Sequence, residues 1–231
     1  MRRSLLLAVF VLGCSASNTV APKDSGATSD GAASDAGSDA PSNMPAGFTQ
    51  VPYLTDAPVR KFTKAEQVLD ATKDYIAVVD TDVGRIVLDL YETETPITVN
   101  SFVFLSLNHF YEGILFHRVI DGFMAQTGDP NSLSSNTATW GTGGCGYKFG
   151  LELQPTLNFD APGGLGMANS GPTQNGSQFF ITFVAYPSLN QNYTVWGKVI
   201  TGLDVLPNIV RGEPPTTPSK IIEVQIGAKA K

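Results

Sequence analysis

Apolar and polar positions alternate most clearly between Tyr75 and Leu90. Ile76 and Val78, then Ile86, Leu88 and Leu90, recur at every second residue, and Thr81-Asp82-Val83-Gly84 interrupts the run. A period of two puts successive side chains on opposite faces, so the stretch predicts two strands joined by a turn. From Thr95 the period lengthens. Val99, Phe102, Val103, Leu105, Leu107 and Phe110 give a helix a broad apolar face, with Thr95 as N-cap, Pro96 at the first helical position and an end near Gly113. Shorter apolar runs follow at Leu115 to Ile120, Phe123 to Thr127, Leu165 to Asn169, Gln178 to Phe183, Val195 to Ile200 and Ile221 to Ile226, each bounded by turn residues. Leu133 to Tyr147 is rich in Gly, Ser, Thr and Asn and reads as a long loop, a feature often tied to function. Gly202 to Arg211 predicts a second helix, with Asp204 in its first turn and Arg211 at its end. About eight short strands and two helices, without strict strand–helix alternation, favour a mostly β fold: an antiparallel barrel with helices covering its ends.

Ahead of this region the pattern changes twice. Met1-Arg2-Arg3 is basic, Leu5 to Leu12 is apolar, and Gly13-Cys14 follows. That is the layout of a secretory signal, too short to span a bilayer. Val11-Leu12-Gly13-Cys14 resembles a bacterial lipobox, which implies cleavage before Cys14 and lipidation of the new N-terminal cysteine; an ordinary secretory signal cut near Ala16 is the alternative. Residues 15 to about 47 hold mainly Ser, Ala, Gly, Asp, Pro and Thr and cannot bury enough apolar surface to offset their ordering entropy. The expected organisation is a lipoprotein signal over 1–13, a flexible tether over 14–47, an N-terminal extension over 48–73 and a folded domain over 74–228. Lys64 to Asp70 has the length for a short helix within the extension.

Charge and composition narrow the function. The net charge of −6 opposes binding to a phosphate backbone, so no nucleic-acid partner is expected. The two cysteines are Cys14 and Cys145; lipid on Cys14 would leave Cys145 a lone thiol, so no disulfide is expected. His109 and His117 are the two histidines, with no cysteines or carboxylates clustered at ligand spacing, so neither a metal nor another cofactor is expected. His117 is read as a hydrogen-bonded structural residue rather than an acid or base. No heptad or long apolar patch demands a partner subunit, which makes a monomer the default.

Four segments carry a resemblance. Residues 116–130 read FHRVIDGFMAQTGDP, 141–149 GTGGCGYKF, 167–182 MANSGPTQNGSQFFIT and 196–199 WGKV. In this order they resemble the cyclophilins, peptidyl-prolyl cis–trans isomerases built on an eight-stranded barrel capped by two helices. The resemblance implies that Arg118 is the catalytic arginine and that Phe123, Met124, Phe180 and Leu189 wall the pocket for the substrate proline ring. It implies that Gln126 contacts the substrate backbone and that the main chain of Asn169 pairs with it. His117, Ala168, Gln178 and Tyr193 match further groove positions. Asp121 stands where proline is usual in the family, Thr127 where glycine is usual, and Gly164-Leu165-Gly166 replaces a bulkier run. Ser188 takes the place of a tryptophan found in many eukaryotic members, which implies weak cyclosporin affinity.

The chemistry suits these residue types. Amide resonance holds an X–Pro bond planar behind a barrier of about 18–20 kcal/mol. In the twisted transition state that resonance is lost and the prolyl nitrogen regains a basic lone pair. A fixed cation that donates to this nitrogen favours the twisted state over either planar isomer. Arginine is permanently charged and carries several donors in a planar fork. The expected function is acceleration of X–Pro rotation in proline-containing peptides and unfolded exported proteins, at the bacterial cell envelope and anchored through lipid on Cys14. The alternative is a proline-peptide binding module or chaperone with little turnover.

Overall fold

The computed structural model describes residues 44–171 and 174–231. The expected signal, Cys14 and nearly all of the expected tether lie outside the described residues.

Nine strands form a single sheet: β1 (Thr49–Gln50), β2 (Lys73–Thr81), β3 (Gly84–Leu90), β4 (Arg118–Ile120), β5 (Met124–Thr127), β6 (Gly164–Met167), β7 (Phe179–Thr182), β8 (Val195–Thr201) and β9 (Ile221–Ala230). Their order is β1-β9-β2-β3-β8-β6-β7-β5-β4, and every pairing is antiparallel. The mostly β, antiparallel class expected from the sequence holds. The strand count differs because Thr49 and Gln50 of the extension pair with Ala228 and Gly227. No continuous ladder closes the sheet, since β1 and β4 end its order. It curls toward closure through other backbone bonds: Gly113 N–H donates to the Ile221 carbonyl at 2.7 Å, and Phe116 N–H to that of Ser219 at 2.8 Å.

The α-helix α1 (Pro96–Leu107) is buried along nearly its whole length, from Thr98 to Leu107. It ends at Leu107, with turns carrying the chain on to Gly113. Its start also corrects the sequence reading. The Thr95 hydroxyl donates back to the Tyr91 carbonyl at 3.0 Å and makes no cap. Glu152 does that work from across the fold, accepting from Ile97 N–H at 3.1 Å and Thr98 N–H at 2.7 Å. A carboxylate there also complements the positive end of the helix dipole.

The expected second helix is absent. Gly202 to Arg211 contains a single 3₁₀ turn, Leu206–Asn208. Pro207 removes a backbone donor in mid-segment. The Arg211 guanidinium takes the carbonyls of Leu206 and Pro207 at 3.2 Å and of Ile209 at 2.5 Å, acceptors that a helix would have used. Lys64 to Asp70 is not helical either. Its backbone is claimed by Asn100 of α1, whose Oδ1 accepts from Val68 N–H at 2.9 Å and whose amide donates to the Glu66 carbonyl at 2.9 Å. The extension runs along the domain in this way, with Leu54 N–H on the Leu107 carbonyl and Phe62 N–H on that of Cys145.

The main core lies between α1 and the inner face of the curved sheet. Phe102, Tyr111, Phe179 and Trp196 meet there, with Phe102 and Trp196 4.6 Å apart and Phe102 edge-on to Phe179 at 5.7 Å. Cys145 is fully buried in this cluster. A second, smaller cluster of Met124, Phe159, Phe180, Leu189 and Val195 sits apart from it.

Candidate active site

Strand register assembles the site. In β4 and β5, Arg118 is directly opposite Gln126, and in β5 and β7 Gln126 is directly opposite Phe180. Residues opposite one another in neighbouring strands point to the same face. Arg118, Gln126 and Phe180 therefore form one row across three strands, and Met124, two residues before Gln126, shares their face. The alternate positions, Val119, Ala125 and Ile181, turn into the main core, each no more than 2% exposed.

That row opens into a cavity of about 180 Å³ lined by Arg118, Phe123, Met124, Gln126, Ala168, Asn169, Phe180, Leu189 and Tyr193. Phe180 forms its base, stacked on Phe159 at 5.5 Å and met edge-on by Tyr193 at 5.5 Å. Glycine makes this floor possible. A Cβ on Gly166, opposite Phe180 in β6 and β7, would lie 2.2 Å from the tip of the Phe180 ring. A Cβ on Gly164 would approach the Phe159 ring to 3.0 Å. The run that departs from the cyclophilin pattern thus seats the aromatic floor. Phe123 packs on Tyr186 at 4.4 Å on the other wall.

Polar groups fix the rim. Gln126 donates from Nε2 to Oε1 of Gln178 at 2.9 Å, and Gln178 donates in turn to the carbonyls of Gly141 at 3.0 Å and Gly143 at 2.8 Å. This orients both amides and ties the Gly-rich loop to the groove. A larger cavity of about 510 Å³ adjoins on that side, bounded by Gly141 to Gly144 and Gln178 and sharing Gln126, Ala168 and Asn169 with the first. The Asn169 amide donates to the Asn192 carbonyl at 3.2 Å, while no described residue takes its main-chain N–H or carbonyl. Arg118 is half-buried, and its Nε donates to Oε1 of Glu213 at 2.5 Å. Asp121, the departure from proline, pairs with Arg211 at 3.2 Å.

His117 corrects an expectation. It is buried, yet neither ring nitrogen meets a hydrogen-bond partner among the described residues. Burial holds its pKa below the ordinary imidazole range against the attraction of Asp129, and the positive Arg118 adds to the lowering.

A family model described as cyclophilin type peptidyl-prolyl cis–trans isomerase/CLD matches residues 76–226. The chain belongs to the cyclophilins. Peptidyl-prolyl cis-trans isomerase-like 3 of Gallus gallus is 47% identical over 126 residues, covering 54% of this chain and 76% of the relative. Peptidyl-prolyl cis-trans isomerase-like 1 of Aspergillus niger is 41% identical over 127 residues, covering 55% and 76%. Among solved structures, a cyclophilin type peptidyl-prolyl cis-trans isomerase of Cryptosporidium parvum is 32% identical with a TM-score of 0.61, covering 66% of this chain and 97% of its own. That protein was also solved in the presence of the dipeptide Ala-Pro, with a TM-score of 0.59.

Nine of the eleven groove residues singled out in the cyclophilin motifs line the smaller cavity. Gln178 lines only the larger one, and the buried His117 lines neither. The sequence reading overlooked Phe159, Tyr186 and Glu213. Phe159 and Tyr186 follow no periodic pattern, and Glu213 lies in a Gly-Glu-Pro-Pro turn far from every cyclophilin motif; nothing local marks the three.

Proposed function

We propose that the chain accelerates X–Pro rotation in exported, incompletely folded proteins, with Arg118 as the donor to the twisted prolyl nitrogen. The observation that carries this reading is the row Arg118–Gln126–Phe180 facing one small cavity. The proline ring enters over Phe180, between Phe123, Met124 and Leu189. Gln126, already oriented by Gln178, holds the carbonyl on the acyl side, and the main chain of Asn169, which no described residue engages, pairs with the peptide backbone. With the ring held, Arg118 meets the prolyl nitrogen as it pyramidalises. One electrostatic donor of this kind contributes about 3–4 kcal/mol, roughly half of the 7 kcal/mol that a 10⁵-fold acceleration needs. The Ala-Pro dipeptide used with the Cryptosporidium parvum relative agrees with a proline-containing ligand.

The test is cis–trans exchange of an X–Pro peptide followed by NMR line shape. Wild type is expected to broaden the exchanging resonances, and Arg118→Ala to slow exchange about 10²–10³-fold without altering the melting temperature. An Arg118→Ala protein as fast as wild type refutes the assignment. Peptide-induced shifts in the protein with no faster exchange would instead favour the binding-module reading.

We also propose export and lipid attachment at Cys14, on the strength of the basic, apolar and Gly-Cys order at residues 1–14. Labelled fatty acid should be incorporated by wild-type cells and not by Cys14→Ser; equal labelling of both would end this part of the proposal.

A further inference from the structure

We infer that Glu213 is a positioning residue for Arg118, clamping its guanidinium at Nε so that the terminal amino groups are the donors presented to the cavity. The inference rests on the reading of Arg118 given above.

Backbone register places the two residues together. Val119 and Gly212 form a single antiparallel bridge, each N–H donating to the other's carbonyl at 2.8 Å. One step back along β4 is Arg118, and one step forward from the bridge is Glu213. In an antiparallel pair these are direct neighbours, and Arg118 Nε duly lies 2.5 Å from Glu213 Oε1. The pair joins segments 95 residues apart.

Glu213 does not ride on a loose loop. Val210 N–H donates to the Ser219 hydroxyl at 3.1 Å. Arg211 lies over the Phe183 ring at 4.1 Å and pairs with Asp121. Gly212 has φ +147°, and a Cβ there would come within 2.5 Å of Pro215. The carboxylate is thus delivered from a fixed turn to a fixed strand.

The consequence follows from the chemistry of arginine. Its long side chain has many rotamers, and Arg118 is 40% exposed on a three-residue strand at the end of the sheet order. Apart from Glu213, no described residue hydrogen-bonds its guanidinium. Nε is the one donor that a carboxylate can take without occupying the two terminal amino groups. Arg118 lines the cavity, so those remaining donors are available on the substrate side. The carboxylate also offsets part of the positive charge. Glu213 is 52% exposed, so solvent screens that opposing field and orientation dominates.

The test is exchange kinetics on the full chain with Glu213→Ala and Glu213→Gln, each also made in the Arg118→Ala background. Glu213→Ala is expected to lower turnover about fivefold with KM and melting temperature unchanged. Glu213→Gln should fall between, because its carbonyl accepts from Nε without charge. Neither change should slow the Arg118→Ala protein further, since the effect passes through that side chain. Wild-type turnover in Glu213→Ala overturns the inference, as does the same fivefold loss without Arg118. Wild-type turnover in Arg118→Ala alone would instead remove the catalytic reading beneath it.

Discussion

The same strands feed two apolar clusters, and the two are finished differently. Adjacent residues straddle the sheet: Phe179 enters the main core and Phe180 the smaller cluster, as do Trp196 and Val195. In the main core α1 covers the sheet, and Phe102, Phe179 and Trp196 close on one another. In the smaller cluster Phe180 has Phe159 and Tyr193 as neighbours, but a space of about 180 Å³ remains beside them. A complete core holds the strands rigid, and rigidity keeps the incomplete cluster from collapsing into its own vacancy. Under the function proposed above, the groove is a packing position that the substrate's proline ring would fill.

Three experiments probe that division, from the largest expected effect to the smallest. Trp196→Ala removes the largest fully buried side chain, and its urea midpoint should report a loss of about 3–5 kcal/mol. Activity should fall only as the folded fraction falls; intact stability with lost activity would dissolve the distinction between the clusters. Gly166→Ala puts a methyl where the Phe180 ring lies. Overpacking should destabilise by about 1–3 kcal/mol and push the ring toward the cavity, weakening peptide binding about tenfold. Unchanged peptide affinity would show that the floor yields elsewhere. His117 tests a buried polar residue next to Arg118 in the chain. Its lowered pKa means that the folded protein binds fewer protons there than the unfolded chain. Its contribution to stability is therefore full above about pH 6.5, the ordinary imidazole value, and is lost as pH falls through the lowered folded value. Comparing urea midpoints at pH 8 and pH 5, wild type should lose more on acidification than His117→Gln. An equal loss in both would mean that another group governs the acid limb.

Much of this was legible from the residues alone because it is local. The alternation of Ile76 with Val78 and of Ile86 with Leu88 marked β2 and β3, and the Pro96 region marked α1. The motif residues around Arg118, Gln126 and Phe180 converge because each lies on a short strand whose period-two pattern already assigns its face. What escaped depends on distant partners. The helix cap comes from Glu152, 54 residues beyond Thr98, and leaves Thr95 without the role its position suggests. Pro207 was visible in the expected second helix, but the capture of its carbonyls by Arg211 was not. The non-helical form of residues 64–70 goes with Asn100, which no local rule connects to them. Glu213 reaches Arg118 only through the Val119–Gly212 bridge.

Placement of β9 has a consequence for biogenesis. This strand follows all the others in sequence yet lies inside the sheet, with β1 on one side and the nine residues of β2 on the other. Until it is made, β2 has only β3 beside it and β1 of the N-terminal extension has no strand to pair with. The sheet therefore cannot be completed until β9 is in place. The last strand to be made is thus the one that joins the first two, and every earlier strand waits on it for a complete sheet.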